Sequence, residues 1–129
     1  MKYSVDKDEK YSLVKIKEEK LDSSISSDLK SDLITMQAEG VTNLIIDLSE
    51  VKYIDSSGLS ALLVGNRVFR EAGGAFIIAA PSEHTSKLIK ISQLDKVLDI
   101  LPTAHEAIES VFMHELEKGF SEEDDSEKA

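Results

Sequence analysis

Two apolar runs limit what this chain can fold into. Leu44-Ile45-Ile46 lies inside the segment Asn43–Ser49, and Ala75 to Ala79 is apolar throughout. Runs of this kind suit strands covered on both faces, as parallel strands are. Between them lies a helical pattern from about Ser57 to Ala72, rich in small and apolar residues at its start (Leu59, Ala61, Leu62, Leu63, Val64). Arg67 and Arg70 favour the negative end of that helix's dipole, and Gly73-Gly74 ends it.

The flanks extend the alternation. Residues 2–7 and 11–17 alternate apolar and polar side chains around the charged turn Asp8-Glu9-Lys10, which predicts an edge hairpin with Lys15 and Lys17 in solvent. Asp22-Ser23-Ser24 reads as a helix start, followed at helical spacing by Ile25, Leu29, Leu33 and Met36 and stopped at Gly40. Pro81-Ser82-Glu83 opens a shorter helix, and Val97 to Leu101 reads as a last strand. Thr103-Ala104-His105-Glu106 has the form of a capping box. The helix after it is expected to turn Ala104, Ile108, Val111 and the Met113-to-Leu116 stretch toward the sheet. The whole predicts an α/β fold: a mainly parallel sheet, an N-terminal edge hairpin and about four helices.

The 129 residues suit one domain, expected over 1–118. The acidic segment 119–129 has little apolar area to bury and is expected to be a disordered tail. The chain carries 25 acidic and 15 basic residues, a net charge of −10, which argues against nucleic acid and anionic membranes as partners. With no cysteine, thiol catalysis, disulfides and thiolate metal sites are excluded. The N-terminus lacks an apolar signal core and no apolar run reaches membrane-span length, so a cytoplasmic protein without membrane insertion is expected.

The stretch that carries chemistry is Ile54-Asp55-Ser56-Ser57-Gly58-Leu59, where a strand region gives way to a helix. Asp and Ser are preferred helix caps, so the residues alone read first as a cap. A serine there also meets the unpaired N–H groups and positive end of the helix, where a phosphate is well received. Asp47, late in a buried strand, reads as a structural hydrogen-bonding group. Asp22, Asp47 and Asp55 form no compact metal-ligand motif. His84, His105 and His114 make no metal pair, and Ser56 does not sit in Gly-x-Ser-x-Gly. Neither a catalytic role nor a cofactor or metal is expected.

From about Tyr11 to Leu116 the chain resembles the STAS domain family, and within it the bacterial anti-sigma factor antagonists. The residues that carry the likeness are Leu44-Ile45-Ile46-Asp47-Leu48-Ser49 followed by Val51-Lys52-Tyr53-Ile54-Asp55-Ser56-Ser57-Gly58-Leu59. Glu71-Ala72-Gly73-Gly74 and Ile91-Ser92-Gln93-Leu94-Asp95-Lys96-Val97 also fit. The resemblance implies a partner-switching module, expected to be monomeric when free. A serine kinase anti-sigma factor binds the unphosphorylated form and phosphorylates the serine after the motif Asp. A metal-dependent serine/threonine phosphatase resets it. Here that serine is Ser56, with Ser57 the second choice.

The partner surface is expected to gather Lys20, Asp22, Ser23, Asp55, Ser56, Ser57, Gly58 and Leu59. The family's Gly-Glu-Leu-Asp pattern is matched by Glu19-Lys20-Leu21-Asp22, so a lysine stands where the pattern has an acid. A STAS accessory subunit of a membrane transport complex, with no phospho-switch, is the alternative reading.

Overall fold

The computed structural model of the protein describes residues 1–128, and their side chains as far as Gly119; the acidic tail expected over 119–129 falls on the stretch past Gly119, whose side chains lie outside the description. The chain opens with β1 (Tyr3–Lys7) and β2 (Ser12–Ile16), paired antiparallel as the expected hairpin. Lys15 is half-exposed, 3.8 Å from Glu50, and Lys17 is exposed. Then come β3 (Lys20–Leu21), α1 (Ser26–Ala38), β4 (Leu44–Asp47), β5 (Tyr53–Ile54) and α2 (Ser56–Glu71). The fold continues with β6 (Phe76–Ala79), α3 (Glu83–Ile91), a 3₁₀ turn at Leu94–Lys96, β7 (Asp99–Leu101) and α4 (Ala104–Lys128).

The main sheet has the order β1-β2-β4-β6-β7, and all its pairs except the hairpin are parallel. Alternation along β4 and β6 builds two cores. Leu44, Ile46, Phe76 and Ile78 join side chains of α1, α2 and α3 on one face. Ile45 and Ile77 meet Ala107 and Val111 of α4 on the other. Both apolar runs are therefore covered on both sides, as their composition requires.

Several expectations need correction. Asp22 does not cap α1: the helix opens at Ser26, and the Asp22 carbonyl accepts the N–H groups of Ile25 and Ser26 in a preceding turn. The last strand begins at Asp99, because Leu94–Lys96 winds into the 3₁₀ turn and leaves Val97 half-exposed. Met113 and Leu116 face solvent, each 55% exposed, whereas Ala107 and Val111 are buried. At 100° per residue Met113 lies about 200° round the helix from Val111, so both cannot meet the sheet. In the capping box, Thr103 accepts the Glu106 N–H, but the Glu106 carboxylate takes the Thr103 hydroxyl rather than its backbone N–H.

Asn43 stitches the amino ends of the strands together. Its side chain, buried before β4, donates to the Lys10 carbonyl and to Glu115 of α4 and accepts the N–H of Ala75 at 2.8 Å.

Helix α2 packs closely because of Gly65. A Cβ there would stand 2.6 Å from the Phe76 ring and 2.9 Å from Leu33. Gly65→Ala is expected to destabilise the fold by about 1–3 kcal/mol through overpacking, read as a lower urea midpoint with an unchanged m-value.

Candidate functional site

A small second sheet builds the site. β3 and β5 pair in parallel, Lys20 with Tyr53 and Leu21 with Ile54. The Glu19 carbonyl accepts the N–H groups of Lys52 and Tyr53, and the Leu21 carbonyl accepts that of Asp55 at 3.3 Å. The turn after β3 therefore lies beside the start of α2. Leu21 and Ile54 are buried, so each strand turns its other residue, Lys20 or Tyr53, outward.

Gly58 makes this approach possible. A Cβ at that position would stand 2.4 Å from the Leu21 carbonyl oxygen and 2.6 Å from Ile54. Its place in the sequence motif thus has a steric reason, since only a residue without a side chain fits.

Asp55 caps α2. Its carboxylate accepts the Gly58 N–H at 3.0 Å and the Ser57 hydroxyl at 2.6 Å. The two serines consequently differ. Ser57 is half-buried with its hydroxyl committed to Asp55. Ser56 is the exposed first residue of the helix, and among the described residues its hydroxyl has no hydrogen-bond partner.

Asp22 is held in a matching way by the Ser24 hydroxyl and the Ser24 backbone N–H. Both carboxyls ionise below the usual aspartate range. For Asp55 the main cause is the Ser57 hydroxyl bond, followed by the Gly58 N–H. For Asp22 it is the Ser24 hydroxyl, then the Ser24 N–H, while the nearby Asp55 charge opposes ionisation. Two fixed negative charges therefore share the surface around Ser56.

The residues expected at the site come together with distinct positions. Lys20, Ser23, Asp55 and Ser56 are exposed, and Asp22 and Ser57 half-buried. Gly58 and Leu59 are buried and shape the surface from beneath. Asp47 stands apart with its carboxylate on the Ser49 N–H, the structural role read for it. Among the described residues, no group of three or more His, Asp or Glu is arranged to hold a metal ion.

Sequence reasoning missed Tyr53 and His84. Their rings meet edge to face with centroids 5.6 Å apart. With Lys20, Asp22 and Asp55 they line a depression of about 250 Å³ beside Ser56. Tyr53 was findable, because the buried Ile54 next to it forces the neighbouring side chain outward. His84 is brought there only by the tertiary fold.

The STAS domain family model matches residues 3–107, and the chain belongs to that family. A Thermotoga neapolitana protein provisionally named an anti-sigma factor antagonist is 30% identical over 73 residues, 57% of this chain and 65% of that protein. The chain thus spans just under two thirds of the length of that curated relative. Among solved structures, an anti-sigma factor antagonist from Mycobacterium paratuberculosis superposes with a TM-score of 0.76 at 24% identity, covering 85% of this chain and 92% of that one. The unphosphorylated anti-sigma factor antagonist SpoIIAA gives 0.72 at 21%, covering 85% and 96%. A murine anion transporter, Slc26a9, contains the same fold over 18% of its length, with a TM-score of 0.67 at 16% identity and 81% of this chain covered. Among the described residues no helix is long and apolar enough to cross a membrane.

The two carboxylates give a pH dependence with a definite sign. Their lowered pKa values mean that the loop geometry is supported above the ordinary aspartate pKa and loses that support as pH falls through the lowered values. In a carboxyl-carbon NMR titration, Asp22 and Asp55 are expected to have midpoints below that of aspartate in an unstructured peptide. Ser57→Ala should return Asp55 toward the peptide value, whereas Ser56→Ala should leave it where it is.

Proposed function

We propose that this protein is a phosphorylation-switched interaction module, an anti-sigma factor antagonist acting in the cytoplasm, with Ser56 as the switched residue. The observation that carries this reading is the different state of two adjacent serines. Ser56 offers an exposed hydroxyl at the positive end of α2, while Asp55 occupies that of Ser57. In the unphosphorylated state the surface binds a serine kinase anti-sigma factor. The kinase transfers the γ-phosphoryl group of ATP to the Ser56 oxygen; the hydroxyl proton leaves and ADP departs. A metal-dependent serine/threonine phosphatase hydrolyses the ester and restores the binding form.

Electrostatics supports the direction of the switch. A phosphate adds about −1.5 to −2 charge near neutral pH. It would enter a surface that already holds Asp22 and Asp55 in ionised form. The N–H groups at the start of α2 can receive the phosphate. A partner fitted to the neutral hydroxyl would then meet a dense negative charge instead. This chain supplies no catalytic group in that scheme: it is substrate and ligand.

The test is incubation with ATP and each serine kinase anti-sigma factor of the source organism, followed by mass spectrometry. Phosphate is expected on Ser56 and absent there from Ser56→Ala. Phosphate chiefly on Ser57 or on the tail serines would reject the assignment. Failure of every kinase to modify or bind the protein, together with its isolation in a transporter complex, would favour the accessory-subunit reading. In calorimetry Ser56→Asp should bind the kinase at least about tenfold more weakly than Ser56→Ala, equivalent to about 1.4 kcal/mol. Equal affinities would remove the electrostatic account.

Lys20 is proposed to set partner choice, since it is exposed and lines the depression beside Ser56. Lys20→Glu is expected to change the ranking of kinase partners while shifting stability by no more than about 0.5 kcal/mol. An unchanged ranking would place Lys20 outside the interface.

A further inference from the structure

A phosphate on Ser56 would arrive among like charges. Asp22 and Asp55 both ionise below the usual aspartate range and both belong to the surface around Ser56. An acid at position 20, as in the family's pattern, would add a third negative charge, but this chain has Lys20 there. A group of about −1.5 to −2 charge beside two carboxylates either finds a counter-ion or keeps a proton that it would otherwise lose near neutral pH.

Lys20 is placed to be that counter-ion. It is exposed and makes no ion pair among the described residues, whereas Lys52 lies 3.4 Å from Glu19 and Lys15 lies 3.8 Å from Glu50. Its pairing with Tyr53 sets it level with that residue, and both line the same depression as Asp22 and Asp55. The ionisation of Asp22, driven first by the Ser24 hydroxyl, is also favoured by the Lys20 charge, so the ammonium lies within electrostatic reach of that carboxylate. From the level of Tyr53 to Ser56 is three residues, about 10 Å of extended chain. The flexible four-carbon stem of lysine and the arm of a phosphoserine divide that distance between them. His84, which meets the Tyr53 ring, is the other residue of the depression that can carry positive charge.

We propose that Lys20 is the counter-ion of phosphorylated Ser56. The proposal rests on the reading of Ser56 as the switch and adds how this chain holds the modified form. Before phosphorylation the ammonium is offered to the partner. Afterwards it turns onto the new phosphate and offsets the repulsion from Asp22 and Asp55. The phosphate then carries its full charge near neutral pH, and the start of α2 is spared the crowding of three unpaired anions.

The test uses the full chain with phosphoserine incorporated at position 56 during translation, so no kinase is needed. A ³¹P NMR titration reads the second pKa of the phosphate. Lys20→Gln should raise it by at least about half a pH unit, Lys20→Glu should raise it further, and Lys20→Arg should leave it near the parent value. Added salt should shrink the difference between the parent and Lys20→Gln; a difference indifferent to salt would reflect altered structure and overturn the proposal. The comparison is repeated with His84→Gln in both chains, because an imidazole changes charge in the same pH range. A difference that vanishes there makes His84 the counter-ion and overturns the proposal. So does a Lys52→Gln change that moves the phosphate as far as Lys20→Gln, or one value shared by the parent, Gln and Glu chains. Melting gives a second readout: phosphoserine should lower the melting temperature more in Lys20→Glu than in the parent, and an equal loss in both would show a phosphate without a counter-ion. These outcomes can remove Lys20 while Ser56 stands. Absence of phosphate from Ser56 in the kinase test above removes both.

Discussion

The close approach of Gly58 to the Leu21 carbonyl is the constraint on which the site depends. With a Cβ placed 2.4 Å from that oxygen by any other residue, α2 would have to start farther from β3. The Asp55 N–H bond to Leu21 and the packing of Ile54 beneath the turn need the same proximity. Two segments more than thirty residues apart thereby become one surface. The stretch Asp55 to Leu59 thus holds two devices at once: a glycine that admits a neighbouring backbone, and an aspartate that fixes the helix start beside it.

Asp55 also divides the labour between two chemically identical side chains. A carboxylate at the cap has room for one hydroxyl and one N–H on the same oxygen, and Ser57 and Gly58 supply them. The cap is therefore complete without Ser56. A residue that caps a helix cannot be modified without loosening it, whereas one just inside the cap can be. The bland reading of this motif as a helix cap and the sharper reading as a switch are compatible, because they fall on different residues.

Much of the fold was legible because burial leaves a pattern. The hairpin, β4, β6 and the bounds of α2 to within a residue follow from alternation, apolar runs and caps. The β3–β5 pair was not, since two residues per strand carry no period. Its effect is expected on another ground, since the family resemblance gathers Asp22 and Ser56 on one partner surface, and the short second sheet is what joins them. Met113 and Leu116 show the opposite failure, where apolar character was taken for burial although the helical angle set them outward. Tyr53 and His84 gain their significance from each other, thirty-one positions apart in sequence, which single-chain patterns do not encode.

The packing of α2 restricts how any event at Ser56 can act. One side of the helix is locked to the core: Gly65 lies against Phe76 and Leu33, and Phe69 stacks on Phe76 with ring centroids 6.0 Å apart. Leu59 and Leu62 are buried one and two turns from Ser56. Shifting the helix would open close-packed contacts that cost several kcal/mol to lose. The β3–β5 pair, by contrast, forms a sheet of its own, with no strand pairing to the main sheet among the described residues. Under the proposed switch, a phosphate therefore changes the charge and shape of the exposed surface around Ser56, with any adjustment taken up by the turn after β3, while α2 keeps its place. The partner would then read the chemistry of a nearly fixed surface, and its release needs no rearrangement of the fold that presents it.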